Sequence, residues 1–285
     1  MTMPPGYRLR EARPDDLPAI AALRESVGWA AHPWALEIVL RPPARCVVVT
    51  ADAGDAPIAV GSGIAYGALG FIGNMVVAQA HRRRGLGSVV LEAVTDFLEG
   101  AGCTRLELYA TSDGRPLYAR HEFEPAGPSA MGRIPRAAAL GDTPHAVRIA
   151  GPQALTRLAA YDAPRFGGDR GPLLAMMVAD AERPVLVAGE DEILGYAWLR
   201  ADGSRLGPFL ADDPTVAASL VAEAFERCPT ALEMTLNLPT ANRDGVAWLR
   251  AAGAELETWD GRMGRGEPIP RRDGTIYGNV VGALG

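Results

Sequence analysis

The chain has 285 residues, of which 48% are hydrophobic, and a formal net charge of −6 at pH 7. This length fits two domains of ordinary size, and the negative charge argues against a general nucleic-acid-binding protein. No run of about eighteen apolar residues is present and the first residues lack the apolar core of a signal peptide, so we expect a cytoplasmic protein without a membrane partner. The three cysteines are widely spaced, which predicts neither a disulfide framework nor a metal site.

The first half of the sequence alternates predicted strands and helices. A strand at 7–10 precedes a helix at 15–26, which follows Pro14 and begins with two aspartates. After a loop and helix around 29–40, the pattern predicts strands at 46–51, 58–66 and 71–77, a helix at 89–98 and a strand at 105–110. The segment between the strand at 71–77 and the next helix is the most informative stretch of the chain.

That segment is a glycine-rich basic turn with the sequence Gln79-Ala80-His81-Arg82-Arg83-Arg84-Gly85-Leu86-Gly87-Ser88. Glycines allow the backbone to approach a ligand closely, and the free N–H groups of a first helical turn attract an anion. The helix dipole and the arginines add positive potential. The turn therefore predicts a phosphate-binding site, and the alternative interpretation is an arginine-rich surface turn closed by glycine.

The spacing Arg82-x-x-Gly85-x-Gly87 does not match two common phosphate-binding motifs. A P-loop requires a lysine after its second glycine, and this chain has no lysine. A dinucleotide fingerprint requires Gly-x-Gly-x-x-Gly after the first strand, with an acidic residue about 20 positions later. The turn instead resembles the pyrophosphate-binding turn of the GNAT superfamily of acetyl-CoA-dependent N-acetyltransferases, whose pattern is Gln/Arg-x-x-Gly-x-Gly/Ala.

A second pattern downstream also resembles GNAT proteins. The strand at 105–110 leads through a turn to a short segment with Tyr118 and Phe123, which keep the five-residue spacing of the family pattern Leu-Tyr-x-x-x-Gly-Phe. Glu122 stands where the family has glycine, and Asp113 stands where asparagine is common. The resemblance covers roughly residues 6–135.

The resemblance implies an α+β fold, in which a mixed, mostly antiparallel sheet is flanked by helices in three layers. It also implies acetyl-CoA as cosubstrate, no metal, and a primary amine of a small molecule or peptide as acceptor, attacked directly through a tetrahedral intermediate. Main-chain groups of Met75, Val76 and Val77 are then expected to hold the pantetheine arm and the thioester carbonyl. The other residues expected to bind the cofactor are Arg82, Arg83, Arg84, Gly85, Leu86, Gly87, Ser88 and Asp113.

Two side chains are candidates for the chemical step. By its match to the family pattern, Tyr118 is expected to protonate the departing thiolate, since a phenol pKa near 10 is close to that of a thiol; the alternative is a core tyrosine. Glu107 alternates with Leu106 and Leu108 on its strand and is the candidate general base, directly or through a water. An exposed glutamate without a catalytic role explains its position equally. For the whole protein, the alternative is a non-catalytic acyl-CoA-binding regulatory protein.

The second half repeats this order of elements, with predicted strands at 145–149, 185–188, 194–200, 206–210 and 231–238 and helices at 153–161, 215–228 and 244–252. We therefore expect two tandem GNAT-like domains, residues 1–140 and 141–285, as in two-domain bacterial members of the family. The counterpart of the basic turn contains Asp212 and Asp213, and Leu249 aligns with Tyr118. The second domain is expected to be degenerate, to leave acetyl-CoA unbound and to shape the acceptor site or a homodimer interface.

Two further expectations concern the second half. The stretch at 161–170 resembles the Asp-x-x-x-Phe-Gly-x-Asp-Arg stretch of some bacterial tandem GNAT proteins and is expected to be a loop, which the resemblance implies can supply Asp162 or Asp169 to a cationic amine. Its alternative interpretation is an ion pair between Asp169 and Arg170 that caps a helix at 172–178. In the tail, residues 256–260 are expected to pair with residues 275–280.

Overall fold

The structure is a computed structural model that describes residues 2–30, 32–280 and 282–285. The chain forms two compact units. The first contains the chain up to Glu124 together with Met263–Pro268 and Gly282–Gly285, and the second contains Pro125–Arg262 and 269–280. Both units combine β-sheet with flanking helices, which confirms the predicted α+β class. Among the described residues, no helix is long and apolar enough to cross a membrane.

The first unit is built on a seven-stranded sheet of order β1-β2-β3-β4-β5-β14-β6. Its strands are β1 (Tyr7–Glu11), β2 (Ala44–Ala51), β3 (Pro57–Tyr66), β4 (Leu69–Val77), β5 (Arg105–Tyr109), β6 (Glu124–Pro125) and β14 (Arg262–Arg265). Its helices are α1 (Leu17–Glu25), α2 (Pro33–Val39), α3 (Leu86–Gly100) and α4 (Arg115–Arg120). Strands β1 to β4 pair antiparallel in sequence order, whereas β4 and β5 are parallel.

Helix α3 packs closely on one face of this sheet. Its apolar residues recur at helical spacing, and Val94 and Leu98 are buried against the strands. Glycine faces them on β3, where a Cβ on Gly63 would stand 2.9 Å from Val94 Cγ1 and 3.0 Å from Leu98 Cγ. This close approach holds α3 against the face of the sheet.

Strands β4 and β5 diverge partway along their length. Their parallel register ends at the pair formed by Ile72 and Leu108. Strand β4 nevertheless continues to Val77 with β3 on its other side. The C-terminal half of β4 therefore has an edge that none of the described strands covers.

The second unit contains a five-stranded sheet of order β15-β11-β10-β9-β8 and a three-stranded sheet of order β12-β7-β13. Its strands are β7 (Ser129–Pro135), β8 (Val147–Ile149), β9 (Val185–Ala188), β10 (Gly195–Leu199), β11 (Leu206–Ala211), β12 (Glu233–Pro239), β13 (Glu255–Trp259) and β15 (Ile276–Gly278). Its helices are α5 (Leu155–Phe166), α6 (Gly171–Val178), α7 (Pro214–Arg227) and α8 (Arg243–Ala251). Helix α7 is the most buried of these, since residues 216–221 are all shielded from solvent.

The two units exchange segments of the chain. Strand β7 lies in the first half of the sequence, yet it forms the middle of the three-stranded sheet of the second unit. Conversely, Met263–Pro268 and Gly282–Gly285 belong to the first unit. Residues 125–140 thus lie in the second compact unit, whereas the expected ranges 1–140 and 141–285 placed them in the first domain. The reason is that the strands that pair with β7 belong to the second unit.

The expected pairing of residues 256–260 with 275–280 is wrong. Strand β13 pairs with β7, and β15 pairs with β11. The alternating pattern identified both segments as strands, but alternation specifies only which side chains share a face and leaves the neighbouring strand undefined.

Candidate functional site

The basic turn after β4 presents unpaired backbone donors. Helix α3 begins at Leu86 with Gly85 as its N-cap at φ 83°, and Arg83 has a φ of 62°. The N–H groups of residues 83–87 bond no acceptor among the described residues. Unpaired N–H groups at a helix N-terminus form an anion-binding arrangement. The prediction that this turn can bind phosphate is therefore compatible with its geometry.

The three arginines of the turn differ in their partners. Arg82 donates from Nε to the carbonyl of Val77 at 3.1 Å. Arg84 donates to the hydroxyl of Tyr7 at 3.0 Å. Arg83 is exposed and has no partner in the described part of the chain. Arg82 and Arg84 brace the turn, which leaves Arg83 as the guanidinium open to a ligand.

Gly87 lies where the turn, β4 and α4 meet. A Cβ on Gly87 would stand 3.3 Å from Leu117 Cδ2 and 3.9 Å from Val77 Cγ2. The neighbouring Leu86 is buried in the core, and Ser88 is half-buried. The candidate phosphate turn is thus adjacent to both the open strand and the helix that carries Tyr118.

A β-bulge interrupts β4 where it leaves β5. The register against β3 shifts by one residue, so that Asn74 and Met75 together lie opposite Gly61. Asn74 has a φ of 56°, a left-handed conformation that asparagine tolerates better than most residues. Met75, the first residue expected to hold the thioester, therefore lies in the bulge.

The main-chain groups of Val77 point to the open edge of β4. The N–H of Ala78 bonds the carbonyl of Ile58 at 2.8 Å, and hydrogen bonding alternates along an antiparallel pair. Val77 therefore directs its N–H and carbonyl away from β3, and Val76 directs its own toward β3. Of the three residues expected to offer main-chain groups, Val77 is placed to do so through its N–H, since its carbonyl already accepts Arg82 Nε, and the groups of Val76 are occupied by the pairing with β3.

A buried polar chain holds the bulge. Arg24 donates from Nη1 to Asn74 Oδ1, and Asn74 Nδ2 donates to Ser62 Oγ at 2.8 Å. The Ser62 hydroxyl in turn donates to the carbonyl of Gly73 at 3.2 Å. Arg24, Asn74 and Ser62 are all buried. Arg24 could not be identified from the sequence, because one arginine in an apolar helix pattern is ordinarily a solvated residue.

Tyr118 lies on α4 with its ring in the core. The ring makes an edge contact with Phe123 at 6.1 Å between centroids, and a Cβ on Gly114 would stand 3.0 Å from Tyr118 Cε2. Its hydroxyl makes no hydrogen bond within the described residues. Burial raises the pKa of the Tyr118 phenol above its ordinary value. Tyr118 is therefore a neutral phenol whose proton is not committed to another group.

Glu107 is buried and paired, which rules out the interpretation as an exposed glutamate. Its carboxylate accepts a hydrogen bond from Arg105 Nε at 3.1 Å, and Arg105 also donates to the carbonyl of Gly266 at 2.6 Å. Glu107 shares a face of β5 with Tyr109, whose ring lies 5.7 Å from that of Phe71 on β4. Its role as a general base stays a prediction.

Asp113 lies on the exposed turn before α4. The turn is closed by Thr111, whose Oγ1 accepts the N–H of Gly114 at 3.2 Å. The role of Asp113 in cofactor binding stays a prediction. Nowhere in the described residues do His, Cys, Asp and Glu side chains gather into a group that could hold a metal ion.

The C-terminal residues lie against β3 and β4 in the first unit. The hydroxyl of Tyr66 donates to the carbonyl of Leu284 at 2.8 Å, and Leu284 is fully buried. A Cβ on Gly73 would stand 2.5 Å from Ala283 Cα. Since Gly73 alternates with Ile72, which packs in the α3 core, this tail lies on the opposite face of the sheet. It covers that face beside the bulge.

The equivalent turn of the second unit has its helix donors occupied. Asp213 is the N-cap of α7, and its carboxylate accepts the N–H groups of Thr215 and Val216 at 2.7 and 3.1 Å. Asp212 accepts a hydrogen bond from the Tyr161 hydroxyl at 2.9 Å. A phosphate at this helix would have to displace a carboxylate that already caps it.

The expectations of a loop at 161–170 and of an available Asp162 are wrong, and so is the alternative of an ion pair between Asp169 and Arg170; a role of Asp169 toward an amine stays a prediction. The stretch is not a loop, because α5 extends into it. Asp162 is fully buried and accepts from Arg170 Nε at 3.0 Å, so its carboxylate is not available to a cationic amine. Asp169 does not pair with Arg170 but accepts the N–H of Gly171 at 2.8 Å. The structural role expected of Arg170 holds, with Asp162 as its partner.

Two family models match the chain. Residues 8–123 match the model of the acetyltransferase (GNAT) family. Residues 158–278 match the model of an acetyltransferase (GNAT) domain. The first range contains the basic turn, the bulge and Tyr118. The second range contains the equivalent turn before α7, where Asp213 caps the helix.

Relatives and solved structures agree with these matches. The chain is 27% identical to the uncharacterized N-acetyltransferase YitH of Bacillus subtilis (strain 168), over 77% of this chain and 78% of that protein. The structure described as a putative acetyltransferase from Pyrococcus horikoshii superposes with a TM-score of 0.82 at 23% identity, over 100% of this chain and 98% of that one. A GCN5-related N-acetyltransferase from Sphaerobacter thermophilus gives a TM-score of 0.67 at 18% identity, over 96% and 100% of the two chains. At these identities the two structures establish a shared fold.

Proposed function

Both halves of this chain are GNAT acetyltransferase domains, and we propose that the first transfers the acetyl group of acetyl-CoA to a primary amine. The observation that carries the proposal is the run of unpaired N–H groups at residues 83–87, next to the open edge of β4. Family membership supports acyl transfer in general. The free donors favour a diphosphate-bearing acyl carrier.

The residues present fit such a carrier. The N–H groups of residues 83–87 and the Arg83 guanidinium would hold the diphosphate, and the absence of a Cβ on Gly87 lets it approach the helix. The N–H of Val77 and the bulge at Met75 would hold the pantetheine arm and the thioester carbonyl. Bound there, acetyl-CoA supplies an activated acyl carbon with a thiolate leaving group.

Hydrogen-bond donors and one phenol would then act on the reacting groups. A bulge N–H directed at the carbonyl oxygen would stabilise the negative charge that develops on it, a contribution of about 3 kcal/mol for one well-placed donor. The amine nitrogen bonds to the acyl carbon, and the carbon–sulfur bond breaks with its electron pair on sulfur, which takes the proton of Tyr118. The amine releases its surplus proton to Glu107, directly or through a water, and Tyr118 is reprotonated from solvent.

The proposed division of labour assigns catalysis to the expected domain 1–140 and none to 141–285. The carboxylate cap on α7 and the buried Leu249 in place of Tyr118 support this division. A role for the second domain in acceptor binding or in a homodimer is part of the proposal.

Thiol release from acetyl-CoA by the full chain, measured with a panel of primary amines, tests this function. We expect release that depends on the amine, together with thermal stabilisation by CoA. A ligand at a hundred times its Kd stabilises by about 2.7 kcal/mol, which is readily measured. Stabilisation by CoA without release for any amine would instead indicate an acyl-CoA-binding regulatory protein. The absence of both would refute the proposal.

A further inference from the structure

Arg24 is a buried cation that pairs with no carboxylate among the residues that the structure describes. Its side chain donates to Asn74 Oδ1 and, at 3.0 Å, to the carbonyl of Ala30. Its Nε has no hydrogen-bond partner in the described part of the chain. Both acceptors are neutral, and burial lowers the pKa of the Arg24 guanidinium. A guanidinium is positively charged at neutral pH, so Arg24 carries a charge that neither acceptor balances and an Nε–H that no atom of the described residues accepts.

Two other buried arginines of this chain are balanced by carboxylates. Arg105 pairs with Glu107 at 3.1 Å, and Arg170 pairs with Asp162. A buried charge is costly unless it is paired and hydrogen-bonded, and a guanidinium binds a carboxylate in a planar, two-pronged geometry. Arg24 departs from this pattern, which points to an anion that arrives with a ligand.

Arg24 lies close to the point where the reacting groups are proposed to bind. Asn74, which Arg24 bonds, is the bulge residue next to Met75. The ring of Trp29 lies 5.8 Å from the Arg24 guanidinium carbon and provides an apolar neighbour. An anion held by Arg24 would therefore lie beside the point where the thioester carbonyl is proposed to bind.

The phosphates of the carrier are not this anion. Their proposed donors, residues 83–87, come after Val77, and along an extended strand Val77 is already about 10 Å from Asn74. A diphosphate at the turn is thus out of reach of Arg24. The remaining anions are those of the groups that react.

We propose that Arg24 binds a carboxylate of the amine acceptor, so that the acceptor is an amino acid or another small molecule with a carboxylate close to its primary amine. This rests on the proposed acetyl transfer. A carboxylate at Arg24 would orient the acceptor with its amine toward the bulge, and the charge-assisted pair would exclude amines that lack the anion.

Thiol-release kinetics with matched acceptors test the proposal. Each pair consists of an amino acid and its carboxamide, which keep the amine and differ in the negative charge. The ratio of kcat/KM for acid over amide is measured in the wild type, Arg24→Gln and Ser62→Ala, so that differences in amine basicity cancel between variants. Ser62→Ala breaks the polar chain to the bulge but keeps the guanidinium. If Arg24→Gln does not fold, Arg24→Lys replaces it. This variant keeps the positive charge but loses the planar, two-pronged hydrogen bonding of the guanidinium.

We expect Arg24→Gln to lower the ratio by about ten- to a hundredfold, the usual effect of a lost charge-assisted hydrogen bond, and Ser62→Ala to leave it unchanged. An equal loss for acid and amide would show that Arg24 only braces the bulge and would overturn the proposal. The proposal would also be overturned if Arg24→Gln lowered kcat/KM with succinyl-CoA as the acyl donor but left the ratio for acidic acceptors unchanged. The carboxylate bound by Arg24 would then belong to the acyl group.

A binding experiment separates failure of this inference from failure of the proposed function. If no amine releases thiol, N-acetyl amino acids and their carboxamides are compared as ligands in the presence of CoA by thermal shift. A shift for the acids that disappears in Arg24→Gln supports the carboxylate site even without turnover. No difference between acid and amide refutes it.

Discussion

Gly73 lies directly against Ala283, since a Cβ on Gly73 would stand 2.5 Å from both the Cα and the carbonyl oxygen of Ala283. Backbone cannot yield as a flexible side chain does, so Gly73→Ala is expected to lower the free energy of unfolding by about 1–3 kcal/mol. Denaturant unfolding measures this loss. Gly54→Ala, whose Cβ would meet nothing within 4 Å, is the matched control. Equal stability of the two variants would show that the tail is not packed on β4.

Tyr118→Phe is expected to lower kcat by roughly a hundred- to ten-thousandfold, the usual contribution of a positioned proton donor, while the affinity for CoA is unchanged. Because burial raises the pKa of this phenol above the ordinary value of 10.0, ionisation of Tyr118 is not expected to reduce wild-type kcat below that pH. The dependence of kcat on pH for both proteins checks this. A variant with wild-type kcat at every pH would remove Tyr118 from the chemical step.

Asp213→Ala is expected to destabilise the second unit by about 0.5–2 kcal/mol at pH 7 through loss of the α7 cap. Burial alone would raise the pKa of Asp213, but hydrogen bonds from Thr215 and Val216 outweigh it and the pKa is lowered. A lowered pKa contributes stability above the unfolded pKa of about 4, and this stability is lost as pH falls through the folded value. Urea unfolding at neutral and acidic pH measures the difference, which should shrink in acid. A difference independent of pH would contradict the charged cap.

The pair formed by Arg170 and Asp162 is expected to be structural. Arg170→Leu leaves a buried carboxylate without its partner and should cost about 3–5 kcal/mol of stability. Arg227→Ala removes an exposed pair with Glu223 four residues away on α7 and should change stability by less than about 1 kcal/mol. Denaturation of both variants compares the buried and exposed pairs directly. Similar small losses would show that the Arg170 pair is solvated.

The sequence was informative where the signal is local. Glycines at fixed spacing in a basic turn, with a helix pattern at 89–98 after it, predicted a turn with free N–H groups that leads into a helix; α3 begins three residues earlier than predicted, at Leu86. The family pattern around Tyr118 and Phe123 likewise placed Tyr118 in a short segment after the turn, which the structure shows as α4, whereas the contact between the two rings is seen only in the structure. In each case a few neighbouring residues determine the backbone conformation.

Partners distant in the sequence could not be predicted in the same way. Alternation marked β13 and β15 as strands, but the register with β7 and β11 depends on contacts across the chain. The charge of Arg24 gave no hint that it would be buried against Asn74, and the tail beside Gly73 had no pattern of its own. Burial of a polar group depends on which elements happen to surround it.

Titration of the full chain with CoA by calorimetry tests the phosphate turn most directly, with two variants of the same helix. Gly87→Asp places a carboxylate among the free donors, where its Cβ would stand 3.3 Å from a Leu117 methyl carbon. Gly100→Asp places the same charge at the far end of α3 in open space. We expect Gly87→Asp to weaken CoA binding by at least about a hundredfold, because like charges face each other in the site, and Gly100→Asp to bind as the wild type does. Equal affinity of all three proteins would contradict the placement of the diphosphate at residues 83–87.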